Sequence, residues 1–384
     1  VSSINIRYGL LLRAYLQRCG PHRVILTRQL HINDALVGIA RAVHHVQNKK
    51  KYNEFVQKEL LKLDLPPQFS LCHAPKIELT SLAVDKCKVM TSKKLPLRLD
   101  FVYADPFASG TYRALFKCGD DLRQDWLTLQ VLGTMERLFL EKGMQPRMTP
   151  YACCSAGDQL GFIEWVTESE TTAHIQVKFG GRYGALRNTN MREYIEEQNP
   201  SEHGFEAAVD DFIRSCASYC IATYVLGIGD RHSDNIMVRK NGMLFHIDFG
   251  HFLGNYKQKF GVQRERDPFV FTPDFCYVMG KAAPGVTGIP VDPERKFSEF
   301  CTLCGQAFNV LRDNQALLIS LFSLMVPAGM PELTSHEDVK FLEKKLALNE
   351  THEKAAELCT KEIIHALNTM TRRLDNLAHT LKHF

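Results

Sequence analysis

At 384 residues the chain has room for two or three lobes with their own cores, at about 100–200 residues per domain, and is too long for one compact unit. Its 47 Lys plus Arg stand against 43 Asp plus Glu, so a net charge of +4 gives no case for nucleic acid as a partner, and any basic patch is local. Twelve irregularly spaced cysteines, including the adjacent Cys153-Cys154, come without a signal-peptide pattern or an apolar run of transmembrane length, which fits a reducing cytosol.

From Ile6 to about Leu61 apolar residues recur at helical spacing, broken at Gly20-Pro21, which predicts paired helices of an all-α module over residues 1–62. The chain opens on Val1 and on this pattern without chemistry, so the expectation is a fragment of a larger protein. Leu65-Pro66-Pro67 and the irregular stretch to Pro75 predict a linker over 63–81. Residues 82–166 mix β-rich runs (97–103, 114–118 and 161–166) with an amphipathic helix from about Leu122 to Leu140, whose Leu122, Trp126, Leu129, Leu132 or Gly133, and Met135 or Glu136 lie near one face. A longer helix from His203 to Gly227 aligns Phe205, Val209, Phe212, Cys216 and Cys220. Cys301-x-x-Cys304 has metal-ligand spacing, but no second pair follows and the stretch is helical in pattern, so these read as buried helix cysteines. Ile363, Leu367, Met370, Leu374, Leu377, Leu381 and Phe384 predict a closing amphipathic helix over 362–384.

The most informative run is G-D-R-H-S-D-N-I-M-V-R-K-N-G-M-L-F-H-I-D-F-G, from Gly229 to Gly250. Asn241-Gly242 between two apolar runs reads as a two-residue hairpin turn. If Lys240 pairs with Met243, Ile236 faces Ile247 and Asn235 lies directly opposite Asp248, with Cβ atoms about 4.5–5.5 Å apart. Two oxygen-bearing side chains so placed can share one hard cation, which predicts a magnesium site. Asp230 precedes Asn235 by the spacing of the Asp and Asn in a kinase catalytic loop, and Asp248-Phe249-Gly250 matches the metal-binding Asp-Phe-Gly. The chemistry indicated is phosphoryl transfer.

Ordinary protein kinases place His and Arg before the loop Asp, whereas Asp230-Arg231-His232 reverses the order and resembles the phosphoinositide kinase superfamily. With Lys117-Cys-Gly-Asp-Asp-Leu-Arg-Gln-Asp125, the run resembles the class I phosphoinositide 3-kinases, and the resemblance covers almost the whole chain. Lys86-Cys-Lys-Val-Met-Thr-Ser-Lys-Lys94, Ala14-Tyr-Leu and Cys19-Gly20 are most similar to the gamma form of that catalytic subunit. The resemblance implies an α+β fold, a bilobal protein-kinase-like catalytic domain with N-lobe and hinge at 82–166 and C-lobe at 167–384, preceded by the end of a helical domain at 1–62.

It also implies ATP and Mg2+, with Asn235 and Asp248 on the metal. Ser92, Lys93 and Lys94 would form the phosphate loop, and Lys117 would contact ATP phosphate with Asp120 or Asp125 holding its ammonium. Glu164 and Val166 match the hinge, with Tyr151, Ile163, Met237 and Ile247 around the adenine. Asp230, by its spacing, and His232, by its titration near neutrality, are both candidates for activating the lipid hydroxyl within the catalytic loop 229–235. In the activation loop 248–275, Lys257, Lys259, Arg264 and Arg266 resemble the basic segment that accepts phosphatidylinositol 4,5-bisphosphate. A regulatory or adaptor subunit, Ras, Gβγ and recruitment from cytoplasm to plasma membrane are the family's expectations. Two alternatives are a protein kinase of the phosphoinositide-3-kinase-like group and a catalytically weak scaffold.

The chain departs from the family at several points. Arg98 replaces a Trp that walls the ATP site, and Trp165 replaces an aliphatic hinge residue. Asp267 replaces an aliphatic residue before Pro268, which should weaken attraction to an anionic head group. Asn376 and Met370 fall where class I enzymes carry aromatic residues, so interfacial grip should be reduced.

Overall fold

The computed structural model describes residues 6–256, 258–259, 262–263, 269–280 and 293–368. The chain divides into two compact units, residues 1–126 with 151–166, and residues 127–150 with 167–384.

The first unit begins with α1 (Ile6–Arg18), α2 (His22–Val43) and α3 (Tyr52–Leu60). Its strands are β1 (Phe69–Leu71), β2 (Ala74–Leu82), β3 (Lys88–Val89), β4 (Leu97–Tyr103) and β5 (Tyr112–Cys118), followed after α4 (Arg123–Glu141) by β6 (Cys153–Gly157) and β7 (Leu160–Glu164). They form one antiparallel sheet in the order β1-β2-β4-β5-β7-β6, with β3 also on β4. Alternation sets its faces: Leu97, Leu99 and Phe101 of β4 and Tyr112, Ala114 and Phe116 of β5 are buried, which turns Lys117 the other way. The stretch 63–81, read as a linker, instead contributes β1 and most of β2. The helices expected as a separate module share the sheet's core: Ile32, Leu36, Ile39 and Val43 of α2 and Val56 and Leu60 of α3 belong to one buried cluster with Phe69, Leu97 and Phe101. α1 buries no residue.

The helix expected at Leu122 to Leu140 is α4, and the division at residue 126 gives most of it to the second unit. There, β8 (Ser169–Thr171), β9 (Ile236–Arg239) and β10 (Leu244–His246) form an antiparallel sheet in the order β10-β9-β8. Between β8 and β9 come α5 (Thr172–Gly180), α6 (Asn190–Gln198) and α7 (Glu202–Leu226). After β10 follow the short hairpin β11 (Gln258–Lys259) and β12 (Val262–Gln263), then α8 (Pro273–Val278), α9 (Pro293–Asp313), α10 (Gln315–Met325), α11 (His336–Lys345) and α12 (His352–Asn368). α7 is the central rod: Ser201 caps its start by accepting from Gly204 N–H at 3.1 Å, and Gly227 ends it in the left-handed region. Val209, Phe212, Cys216 and Cys220 of the expected stripe are buried, and Phe205 is half-buried. Cys301 and Cys304 both lie in α9, the second fully buried. Of the closing helix expected over 362–384, the residues after 368 lie outside the described residues, Met370 and Asn376 among them. Among the described residues no helix is long and apolar enough to cross a membrane.

Candidate active site

In the second unit the loop bearing Asp230 starts where α7 stops. The backbone of 226–229 runs beside 251–254, with Leu253 N–H donating to Leu226 O at 2.7 Å, Gly254 N–H to Gly227 O at 3.1 Å and Gly229 N–H to His251 O at 2.9 Å. This ties the loop bearing Asp230 to the segment after Asp-Phe-Gly. Within it, Asp230 (φ 56°) and Asp248 (φ 62°) both hold the left-handed region, a strain of roughly 1–3 kcal/mol each that persists only where surroundings impose it.

What imposes it is Arg231. This buried guanidinium donates from Nε to Gly229 O at 2.8 Å, from Nη1 to Ile247 O at 2.6 Å, and from Nη2 to Asp248 O, with its carbon 5.8 Å from the Phe249 ring centre. One side chain thereby joins the Asp230 loop to the Asp248 turn through their carbonyls. Phe249 is fully buried while Asp248 is exposed, so the ring anchors a turn whose carboxylate faces outward.

The hairpin differs from expectation by one residue. Gly242 N–H donates to Arg239 O and Arg239 N–H to Met243 O, both at 2.9 Å, so the loop is the three-residue Lys240-Asn241-Gly242 with Gly242 (φ 88°) as a left-handed bulge. The pairs are Val238 with Leu244, Met237 with Phe245 and Ile236 with His246, and Asn235 therefore faces Ile247, whose N–H donates to Asn235 O at 3.0 Å. Ile236 does not pair with Ile247, and Asn235 is not directly opposite Asp248. A Cβ at Gly242 would overlap the Ala208 carbonyl, a contact that holds glycine at the bulge. A one-residue slip inverts the facing of every later side chain on a regular strand, but the positive φ of Asp248 takes that residue out of the alternation.

The expected metal pair, Asn235 and Asp248, is thus carried by turns, not by opposed strand positions. Asn235 Nδ2 donates to Asp230 O at 2.9 Å, which orients the amide and leaves Oδ1 as its oxygen donor. Asp248 adds an exposed carboxylate. Both are hard donors that suit magnesium. Among the described residues no group of three or more His, Cys, Asp or Glu could hold a metal, so a cation here would take these two side chains together with phosphate and water. His232 is half-buried and its Nδ1 accepts from Asp234 N–H at 3.2 Å.

In the first unit, Lys117 near the end of β5 places Nζ 3.8 Å from Asp120 Oδ2. Of the two carboxylates considered for it, Asp120 makes the ion pair. Asp125 is buried; the Cys153 thiol pKa is raised first by the thiol's own burial and then by the Asp125 charge, against a smaller lowering by Lys117. Ser92, Lys93 and Lys94 are exposed in the turn between β3 and β4, and Lys94 Nζ lies 3.6 Å from where a Gly119 Cβ would stand. Lys94 and the Lys117–Asp120 pair therefore gather at one turn.

At the end of β7 the Glu164 side chain accepts from Ala152 N–H at 2.8 Å, and Trp165 N–H donates to Arg113 O at 3.0 Å. Tyr151 is buried, and Ile163 and Val166 are half-buried in this unit, as are Met237 and Ile247 in the other. Arg98 and Trp165, two departures from the family pattern, meet: the guanidinium carbon is 5.9 Å from the indole centre. Of the head-group candidates, Lys257, Arg264 and Arg266 lie outside the described residues, as does Asp267, and Lys259 is described only as backbone of β11.

Three supporting residues escaped the sequence reading. Asp100, fully buried, accepts from Thr111 Oγ1 and Arg113 Nε at 2.9 Å each and pairs with Arg98 Nε at 3.3 Å. Glu332 accepts from Phe252 N–H at 2.8 Å and meets His251 Nδ1 at 2.6 Å. His73 is buried beside Tyr112 and stacked 5.2 Å from Phe162. Only Asp100 left a trace, as a lone acid in the apolar run Leu97 to Tyr103.

Residues 111–335 match the family described as phosphatidylinositol 3- and 4-kinase. The chain is 45% identical over 383 residues to phosphatidylinositol 3-kinase 1 of Dictyostelium discoideum, covering 100% of this chain and 24% of that protein. It is 44% identical over 380 residues to phosphatidylinositol 3-kinase 2 of the same organism, covering 99% and 20%. Phosphatidylinositol 3-kinase 3 of that organism is 41% identical over 350 residues, covering 91% and 20%. The chain thus spans about a quarter or less of the length of these curated relatives. The family match takes in Lys117, the loop at Asp230 and the turn at Asp248, and begins after Ser92, Lys93 and Lys94.

Proposed function

Because the chain belongs to the phosphatidylinositol 3- and 4-kinase family, we propose that it is the catalytic part of a phosphatidylinositol 3-kinase, transferring the γ-phosphate of ATP to the inositol 3-hydroxyl. The observation that carries this reading is the Arg231 lock, which holds Asp230, Asn235 and the Asp248 turn as one loop system. Magnesium, when bound, neutralises charge on the phosphates. Asn235 and Asp248 would hold it, while Asp230 or His232 orients the attacking hydroxyl and takes its proton. Lys117, aligned by Asp120, stabilises charge that grows on the transferring phosphoryl group, assisted by Lys94.

The finer proposal is a class I enzyme of gamma type acting on phosphatidylinositol 4,5-bisphosphate at the plasma membrane, with a regulatory or adaptor subunit, Ras or Gβγ bringing it there. It is supported by the basic content of Lys257, Lys259, Arg264 and Arg266 and by the named 3-kinase relatives. The test is phosphate transfer from radiolabelled ATP to vesicles of phosphatidylinositol, its 4-phosphate or its 4,5-bisphosphate, with Asp248→Asn as control. The expected product is the 4,5-bisphosphate labelled at the 3-position, lost in the variant. Labelling of another of these lipids at the 3-position overturns the head-group preference alone. Full turnover by Asp248→Asn would overturn the assignment of the site.

A further inference from the structure

Gly227 and Gly254 sit side by side, both left-handed at φ 56° and 77°, where the end of α7 meets the segment after Asp-Phe-Gly. A Cβ built on either would overlap the Phe341 ring of α11, at Cε1 from Gly227 and at Cε2 from Gly254. The ring therefore fills the space of two missing side chains and bears on both strands of the 226–229 and 251–254 pairing. Lys345, one turn further along α11, holds Nζ 5.6 Å from the Phe341 ring centre and 4.4 Å from that of Tyr224 at the end of α7. The segment before α11 makes a second grip through Glu332 on Phe252 N–H and His251. The capping box of Ser335 and Asp338 fixes where the helix starts.

We propose that Phe341 is a positioning residue for the proposed phosphotransfer, an inference that rests on the reading above. The role assigned to it is through Gly227 and Gly254, not through contact with nucleotide or lipid. By bracing Gly227 and Gly254 it fixes the stem from which Asp230 departs on one strand and to which the Asp248 turn returns on the other. Productive geometry tolerates displacements of only about 0.5 Å, and a misplacement of about 1 Å made far from the chemistry can cost on the order of 100-fold in rate. Phe341 lies beyond the stretch that matches the family model, residues 111–335.

The experiment compares the unmodified chain with Phe341→Ala, Phe341→Leu and Asp248→Asn by amide hydrogen exchange, thermal melting and kinetics. In Phe341→Ala the amides of Gly229, Leu253 and Gly254 should exchange about tenfold faster while those in the middle of α7 keep their protection. On the same protein, kcat should fall about tenfold with KM for ATP within about twofold, and Phe341→Leu should recover about half of both changes, leaving each at about threefold. Unchanged exchange at the three amides, or faster exchange with unchanged kcat, would overturn the proposal. So would a uniform rise in exchange along α7 that tracks a lower melting temperature, which is the mark of a purely structural role. If Phe341→Ala does not fold, Phe341→Leu decides by the same criteria, at about threefold. Should Asp248→Asn stay fully active, the functional reading fails while the exchange data still report on the brace.

Discussion

Lys117 and Asp230 are asked to handle charge in the same proposed reaction, yet the two units hold them by different means. Lys117 rides on β5 between hydrogen-bonded neighbours β4 and β7, with Tyr112, Ala114 and Phe116 buried on the opposite face. Its place follows from strand register, and its side chain lies on the face away from those three residues, paired with Asp120. Asp230 and Asp248 lie outside the strands on left-handed backbone, and their place comes from Arg231 and the 226–254 backbone bonds. A strand-borne group can lose its chemistry without loss of fold. A turn-borne group can lose its place through a residue that meets no substrate.

The largest expected effect separates chemistry from fold in the first unit. Lys117→Met should lower kcat by about a thousandfold through lost stabilisation of transition-state charge, and leave the denaturation midpoint unchanged. Steady-state kinetics beside chemical denaturation checks it. A matching loss of stability would mean that the Lys117–Asp120 pair holds the turn together and that the contrast between units is false.

The second effect joins what the first separates. Arg231→Met removes a buried guanidinium and the donor it gives the carbonyls of Gly229, Ile247 and Asp248, so stability should fall by about 3 kcal/mol. Activity should fall about a hundredfold as the Asp230 and Asp248 turns relax. Arg231→Lys should recover little of either, because one ammonium cannot span carbonyls that a planar fork reaches together. Activity that survives the loss of stability would show that the turns hold their strain without this brace.

These two regions also differ in how much of them could be read beforehand. β4 was legible over Leu97 to Tyr103 because one face is apolar at every second residue, and α7 was legible because its stripe keeps helical spacing. β1 and β2 were not, since Pro66, Pro67 and Pro75 look like a linker and the burial of Phe69 and Leu79 comes from packing with α2. In the hairpin, Asn241-Gly242 announces a turn but does not say whether the glycine is the last of two loop residues or of three. A distant contact, the Ala208 carbonyl against Gly242, accompanies the longer loop. The chemical inventory at Asp230, Asn235 and Asp248 was read from spacing. Arg231 was seen only as a letter in a motif, because its partners are backbone carbonyls that carry no sequence signal.

A pH effect tests the first unit's core apart from its chemistry. Burial beside Tyr112 and Phe162 pushes the His73 imidazole down to about 4, against 6.5 for the free side chain. Between these values the unfolded chain takes a proton that the folded chain refuses. The stabilisation is therefore whole above pH 6.5, shrinks as pH falls and levels off below about 4. From pH 7 to pH 5 the loss from this group should be about 2 kcal/mol. Denaturation of the unmodified chain and of His73→Phe across that range should diverge by this slope; parallel curves would mean that His73 is protonated in place.

The smallest expected effect concerns the meeting of Arg98 and Trp165. Arg98 is held by Asp100 Oδ2 at 3.3 Å and donates from Nη2 to Lys86 O at 2.6 Å, so its approach to the indole is fixed before any ligand arrives. Arg98→Ala alone would mix two losses, the contact with Trp165 and part of the compensation for the buried Asp100 carboxylate, which retains Arg113 and Thr111. A double-mutant cycle with Trp165→Leu removes the second loss by subtraction and should leave a coupling of about 0.5–1 kcal/mol. Trp165 is one of two tryptophans, so in a Trp126→Phe background its emission should shift when Arg98 is removed. A coupling near zero would mean that Arg98 serves Asp100 and the Lys86 carbonyl alone, and that the two departures from the family pattern arose independently. A measurable one makes them a single change, in which strand register carries a cation to an aromatic ring as it carries Lys117 to Asp120.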